Sequence, residues 1–281
     1  MAKSLVIGAS GLVGGYILQH LIDRGETPFA LSRSSRTNSG SVEWFEGNLL
    51  DPAAIDIPPF TTLYCTALAE QLVLALPRLI NPALKRIVVI TSTSIVTKID
   101  SEIPAERELL RRYADSERRL ADICEQSGIE WTILRPTVIY AEGHDANITR
   151  IAGLIKKWGF IPLAGSGKGL RQPVHAEDVA IGAVDAAASA TAANRIYAIP
   201  GGETISYREM VGRIFDGMRR PRRIISIAPV IWRVGFFILN RWLPNANSAM
   251  GTRMSNDMVF DSAPARNEFG WDPRPFRPRF D

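Results

Sequence analysis

Lys3-Ser4-Leu5-Val6-Ile7 runs without a break into Gly8-Ala9-Ser10-Gly11-Leu12-Val13-Gly14-Gly15. A short apolar run that stops at a glycine and resumes as a periodic apolar stretch predicts a buried parallel strand, a tight turn and a helix over Leu12–Arg24. That is the first βα unit of a dinucleotide-binding fold. Gly8 lets the strand turn sharply, Gly11 lets backbone N–H groups approach a pyrophosphate, and Gly14 lets helix and strand pack closely. An anion there would sit at a helix N-terminus beside Ser10, Leu12 and Val13, where unpaired amides and the macrodipole favour negative charge. A tight turn without a ligand is the plain alternative.

The rest of the composition narrows the class. The chain has 281 residues, 46% of them hydrophobic and 22% charged, with a net charge of +4, which is ordinary for a globular protein with a large core. Cys65 and Cys124 are the two cysteines, so no disulfide framework and no cysteine-based metal site is expected. The first strand follows Met1 without a basic or apolar leader, so a cytoplasmic protein with reduced thiols is expected.

Thr27–Leu31 reads as the second strand, Val42–Glu46 as the third, Thr61–Thr66 as the fourth and Lys85–Thr91 as the fifth. The fifth is β-branched without alternation, as in a strand covered on both faces. Coenzyme choice falls just past the second strand. An acidic residue there would favour NAD, but the chain has Ser32-Arg33-Ser34-Ser35-Arg36. Arg33 and Arg36, with Ser32, suit a 2′-phosphate, so NADP is preferred and NAD stays open. A solvated basic loop is the other reading. A helix over Pro104–Ser127 precedes a sixth strand, Glu130–Pro136.

The Gly-x-x-Gly-x-x-Gly spacing resembles the extended and atypical branches of the short-chain dehydrogenase/reductase superfamily. So do the Leu134-Arg135-Pro136 ending of the sixth strand and the block Val174-His175-Ala176-Glu177-Asp178-Val179-Ala180. The resemblance covers roughly the first 200 residues. It implies that Asn48-Leu49 contacts adenine, with an amide in place of the usual carboxylate. It also implies that Thr66, Ala67 and Pro136 lie beside the coenzyme. His175 would fix backbone and Asp178 would serve a helix start.

In that superfamily a Ser/Thr after the fifth strand and a Tyr with a Lys four residues on carry the chemistry. Thr93 matches the first position best, with Ser92 and Ser94 beside it, and strand-end capping is the alternative role. Tyr113 is the candidate acid/base, a partly exposed helix tyrosine being the alternative. Glu117 stands where the lysine should be, and a carboxylate there would raise the tyrosine pKa and repel a coenzyme phosphate. Tyr140 is a second candidate hydroxyl near the site mouth.

The fold expected is α/β, a doubly wound parallel sheet over residues 1–200 with a small C-terminal substrate lobe over 201–281, residues 141–171 contributing to the cleft. Lys156, Lys157, Lys168, Arg171 and the loop Gly165-Ser166-Gly167-Lys168-Gly169 would suit a phosphorylated substrate, or form an ordinary flexible loop. Arg219-Arg220-Pro221-Arg222-Arg223, followed by the apolar stretch 224–243, fits an interfacial helix on a membrane, a lid over the cleft or a helix docked on a partner subunit. No nucleic-acid partner is expected. The tail from Asp257 to Trp271 resembles the end of a nucleotide-sugar epimerase, closing the substrate domain, and an extended strap follows.

The expected activity is hydride transfer between a nicotinamide and a carbonyl or secondary alcohol, as in an oxidoreductase or epimerase, on a small molecule such as a nucleotide- or lipid-linked sugar. The alternative is a catalytically idle NADP(H)-binding subunit of a membrane-associated complex.

Overall fold

The computed structural model describes residues 3–38, 40–99, 101, 103–228 and 254–280. The chain divides into two compact units. Unit 1 comprises Met1–Thr137, Ala176–Ile199 and Asp261–Asp272, and unit 2 comprises Val138–His175, Pro200–Phe260 and Pro273–Asp281.

In chain order, β1 (Ser4–Ile7) leads to α1 (Leu12–Asp23), β2 (Phe29–Ser32), β3 (Glu43–Glu46) and β4 (Thr62–Cys65). Next come α2 (Ala69–Leu79), β5 (Arg86–Ile90), the single turn α3 (Ser94–Thr97), α4 (Pro104–Gln126) and β6 (Glu130–Pro136). Unit 2 opens with β7 (Ile139–Tyr140), α5 (Ile148–Trp158), β8 (Ile161–Ala164), β9 (Leu170–Arg171) and β10 (Val174–His175). Unit 1 resumes with α6 (Ala176–Ala188) and β11 (Arg195–Ile199). Unit 2 then adds β12 (Ile205–Ser206), α7 (Tyr207–Gly217) and β13 (Ile224–Ile227), and α8 (Ala263–Phe269) belongs to unit 1 again.

Unit 1 is built on a seven-stranded sheet in the order β11-β6-β5-β4-β1-β2-β3, with every pairing parallel. The chain starts at the centre and winds outward both ways, so the order reverses beside β1, and a crevice opens at the carboxyl ends there. β1 and β5 are buried along their whole length, which is why they read as unbroken apolar runs. One core joins Leu5, Ile7, Leu63 and Val89 of the sheet to Leu72 and Leu76 of α2 and Leu120 of α4. Arg86 is buried at the start of β5. It reaches Glu130 at 2.7 Å and the carbonyls of Ala186 and Ser189 at 2.8 Å, closing the C-terminal end of α6.

α8 differs from the expected closure of a substrate domain. Tyr197 donates to Glu268, Arg195 lies 3.2 Å from the same carboxylate, and the Tyr197 and Phe269 rings meet edge to face at 5.1 Å. The apolar side of the tail helix thus finishes the surface of β11 and α6, and residues 257–261 form no strand.

Unit 2 has its own core, including Tyr140, Ile155, Leu163, Phe215 and Phe276. Three two-stranded sheets surround it: β7 with β10, β9 with β12, and β8 with β13. The C-terminal strap is stitched to this core. Phe276 N donates to Glu203 at 2.7 Å, Arg279 N to Glu142 at 3.1 Å and Phe280 N to the Gly217 carbonyl at 3.1 Å. Burial pushes the Glu203 pKa up, but the Arg213 hydrogen bond and the Arg213 and Arg277 charges outweigh it and hold the carboxyl below its ordinary value.

The basic run also differs from expectation. Arg220 donates to the Ile155 carbonyl at 3.1 Å, capping α5, and Arg222 bridges Glu209 at 2.8 Å and Asp216 at 2.9 Å. Residues 224–227 are the strand β13, paired in parallel with β8, instead of the start of an amphipathic helix. These arginines face backbone and carboxylates of their own unit because those acceptors lie within one side-chain length. The remainder of the 219–243 stretch, from 229 onward, lies outside the described residues. Among the described residues no helix is long and apolar enough to cross a membrane.

Candidate dinucleotide site

The β1–α1 turn carries out what its glycines require. Gly8 has φ +79°, and a Cβ on it would overlap the Thr66 hydroxyl. A Cβ on Gly14 would lie 2.7 Å from the Gly8 carbonyl carbon and 2.9 Å from the Ala9 Cα, so only glycine lets α1 pack on the turn. A Cβ on Gly11 would stand 3.1 Å from the Gly8 oxygen, while one on Gly15 would make ordinary contact. Gly11 N closes the turn onto the Gly8 carbonyl at 2.8 Å, and Thr66 Oγ1 donates to that carbonyl at 3.1 Å. Thr66, at the end of β4, therefore braces the turn.

α1 begins at Gly11 with no side-chain cap and no acidic residue in its first turn. Its leading amides keep their hydrogen-bonding capacity, and Ser10 and Gly11 are exposed. Leu12 is half-buried and Val13 is buried, which anchors the open end. An open, positive helix end beside a glycine cradle fits the linked phosphates of a dinucleotide.

The neighbouring strand ends supply the remaining candidates. Ser32 is buried at the end of β2 and accepts from Ser34 N at 3.3 Å. Arg33 is exposed with no ion-pair partner among the described residues, and the Arg36 guanidinium lies 4.8 Å from the Trp44 ring centroid. That stacking holds one cation near the β2 end. Asn48 is exposed, its Oδ1 accepting from Leu50 N at 3.1 Å, while Leu49 is a core residue. Ala67 is half-buried beside Thr66, and Pro136 is buried at the end of β6.

The hydroxyls after β5 differ in what they leave free. Thr93 is 6% exposed and donates to the Pro136 carbonyl at 3.0 Å, so its proton is committed to joining β5 and β6. Ser92 is half-buried and its Oγ accepts from Ser94 N at 3.1 Å, which leaves its own proton available. Tyr113 is half-buried on α4, and its hydroxyl has no partner among the described residues.

Glu117, one helical turn on, points into the protein. It is 2% exposed, paired in two-pronged fashion with Arg135 of β6, and accepts from Thr91 Oγ1 at 2.6 Å. The Arg135 guanidinium thus meets the carboxylate charge, and burial keeps it from solvent. Arg135, a charge at the end of the apolar run Trp131–Leu134, is a sequence sign of this pair. Tyr140, expected at the site mouth, is 2% exposed in the core of unit 2, its ring edge-on to His175 at 5.1 Å and Phe276 at 4.9 Å. Its β7 strand pairs with β10, which sets Tyr140 opposite His175.

Residues 75–190 match the family model described as NAD(P)H-binding. The match runs from within α2 through β5, α4, β6 and the Val138–His175 part of unit 2 to the end of α6, so the glycine turn is read from its geometry alone. A UDP-glucose 4-epimerase of Vibrio cholerae is 22% identical over 160 residues, 57% of this chain and 47% of that protein, so the chain spans about half the length of this curated relative. The UDP-glucose 4-epimerase of Thermotoga maritima solved with UDP-glucose superposes with a TM-score of 0.72, 13% identity and coverage of 97% of this chain and 94% of that one. The dTDP-glucose 4,6-dehydratase DesIV of Streptomyces venezuelae, solved as a double mutant with NAD and DAU bound, gives 0.71, 16%, 96% and 92%. The chain has the Rossmann-like α/β fold of these epimerase and dehydratase structures.

Proposed function

We propose that unit 1 is the dinucleotide-binding part and that the chain binds NADP(H) in preference to NAD(H). In this reading unit 2 is the substrate part and the substrate is a nucleotide sugar or related sugar. The observation that carries the reading is the β1–α1 turn, where glycine is sterically required at 8 and 14 and the helix start is left open. The open amides of the Gly8–Gly14 turn, Gly11 N excepted because it closes the turn, would hold the pyrophosphate, Arg33 and Arg36 with Ser32 the adenosine 2′-phosphate, and Asn48 with Leu49 the adenine edge. Thr66, Ala67 and Pro136 would flank the coenzyme. The nicotinamide supplies hydride acceptance or donation when bound.

The chain's own contribution at the reacting oxygen is a hydroxyl. Ser92 and Tyr113 keep protons that could be donated to a carbonyl or passed from an alcohol, whereas Thr93 positions β5 against β6. No lysine stands one turn beyond Tyr113, and Glu117 with Arg135 fills that place as an internal pair. The same observation favours a second reading, a dinucleotide-binding protein with little or no turnover. The membrane-complex form of that idea loses its support, since Arg220 and Arg222 are engaged within unit 2.

Nicotinamide fluorescence titration with NADPH and NADH, followed by a panel of UDP- and dTDP-sugars, tests both readings. Tighter NADPH binding with oxidation, reduction or epimerisation of a sugar supports the enzyme. Tight binding with no turnover on the panel supports the second reading, and no binding of either coenzyme removes both.

A further inference from the structure

The glycine-rich loop of unit 2 folds back on the start of α7. Gly167 O accepts from Arg208 N at 2.9 Å and Gly169 O from Tyr207 N at 2.8 Å, while Ser206 Oγ caps the helix by accepting from Glu209 N at 3.1 Å. The leading amides of α7 are therefore occupied. A ligand beside them would need side chains or the loop's own amides to hold it.

Such side chains are present. A cleft of about 280 Å³ is lined by Ser166, Gly167, Lys168, Ser206, Arg208 and Ser226. Two cations and three hydroxyls line it, with no carboxylate among the described lining residues. Arg208 is held in place by Nη1 donating to Ser226 Oγ at 3.0 Å and Nη2 to the Ile224 carbonyl at 3.2 Å, which leaves its other guanidinium protons uncommitted. Ser206 and Ser226 both act as acceptors inside the protein, so each hydroxyl proton remains to be donated, and the described residues offer it no acceptor. Lys168 is exposed and makes no ion pair among the described residues. Gly167 has φ +66°, and a Cβ there would lie 2.7 Å from Leu163 Cδ1, so a side chain at this position would be strained.

We infer that this cleft is an oxyanion site for a phosphate group, distinct from the β1–α1 turn. Two cations and three hydroxyl donors, with no carboxylate among the described lining residues, complement a phosphate, and arginine with lysine supplies charge-assisted bonds. The volume lies at the lower end for ligand pockets, which suits a phosphate or diphosphate and not a whole dinucleotide. The assignment stands whether or not unit 1 binds a coenzyme.

The test uses calorimetry on the full chain with inorganic phosphate, pyrophosphate and UDP, and amide hydrogen exchange over residues 162–172. The expected result is saturable binding with slowed exchange in that segment. Lys168→Ala and Arg208→Ala should each weaken it about tenfold, while Arg33→Ala should leave it unchanged. UDP binding tighter than phosphate, with the same loss in both variants, assigns the group to a nucleotide; equal affinities assign it to free phosphate. Lys168 is exposed, so its replacement leaves the fold intact, and Arg208→Lys checks Arg208 if the alanine variant is unstable. Binding that Lys168→Ala and Arg208→Lys both leave unaltered, or no binding of any of the three, overturns the assignment.

Discussion

α1 and α7 both begin beside a glycine-containing loop, yet one helix start is open and the other is closed. α7 starts at Ser206, whose hydroxyl takes Glu209 N, with Glu209 itself three residues in, the arrangement of a capping box. α1 starts at Gly11 with neither cap nor acid. α2, α4 and α8 also start without a side-chain cap, so it is the sterically required glycines at 8 and 14 beside the bare amides that set α1 apart. Glu117 belongs with the closed set: a charge that looks like site chemistry in sequence is consumed by Arg135 and Thr91.

The sharpest way to break this contrast is at Glu117. Glu117→Ala leaves Arg135 without its partner at a nearly buried position, with an expected loss of about 3–5 kcal/mol in denaturant unfolding. NADPH affinity should change little. If affinity collapsed while stability held, Glu117 would have to be moved to the open set. Next in size is Gly14→Val, which drives a side chain into the Gly8 backbone and should weaken NADPH binding about a hundredfold, ~3 kcal/mol. Arg33→Ala combined with Arg36→Ala should cost about tenfold in NADPH affinity and leave NADH nearly unaltered in the same fluorescence titration. Ser206→Ala removes the cap of the closed helix, for about 1 kcal/mol of stability and no change in NADPH binding.

Acid should affect unit 2 in a known direction. The Arg222 hydrogen bond holds the carboxyls of Glu209 and Asp216 below their ordinary values. A carboxyl with a lowered pKa in the folded state contributes stability that is full above its unfolded value, near 4, and disappears as pH falls below it. Partial exposure of both groups keeps this effect small. Chemical denaturation midpoints measured from pH 6 to 3 should fall, and Arg222→Met should flatten that slope.

Much of unit 1 was legible because its signals are local. β1, the glycine turn, β6 and the helix Pro104–Gln126 each announce themselves by apolar runs, glycine or proline within a few residues. α2 is hidden in the sequence because Pro77 interrupts its pattern, and α5 and α7 because loops and short strands surround them. The site was legible where backbone makes it, at Gly8 and Gly14. It was not legible where partners are distant in sequence. Thr93 finds Pro136 after 43 residues and Glu117 finds Arg135 after 18, and no spacing rule announces either pair. Arg33 and Arg219–Arg223 look alike as text, yet Arg220 and Arg222 meet acceptors that only folding brings near.

The most direct measurement places an acid at the open helix start. NADPH titrated into the wild-type chain and into Gly11→Asp, with unfolding followed in parallel, should give saturable binding in the first and a loss of about tenfold or more in the second at nearly equal stability. Equal NADPH affinity in the two proteins, or no binding by the wild type, would contradict a coenzyme phosphate seated on the first turn of α1.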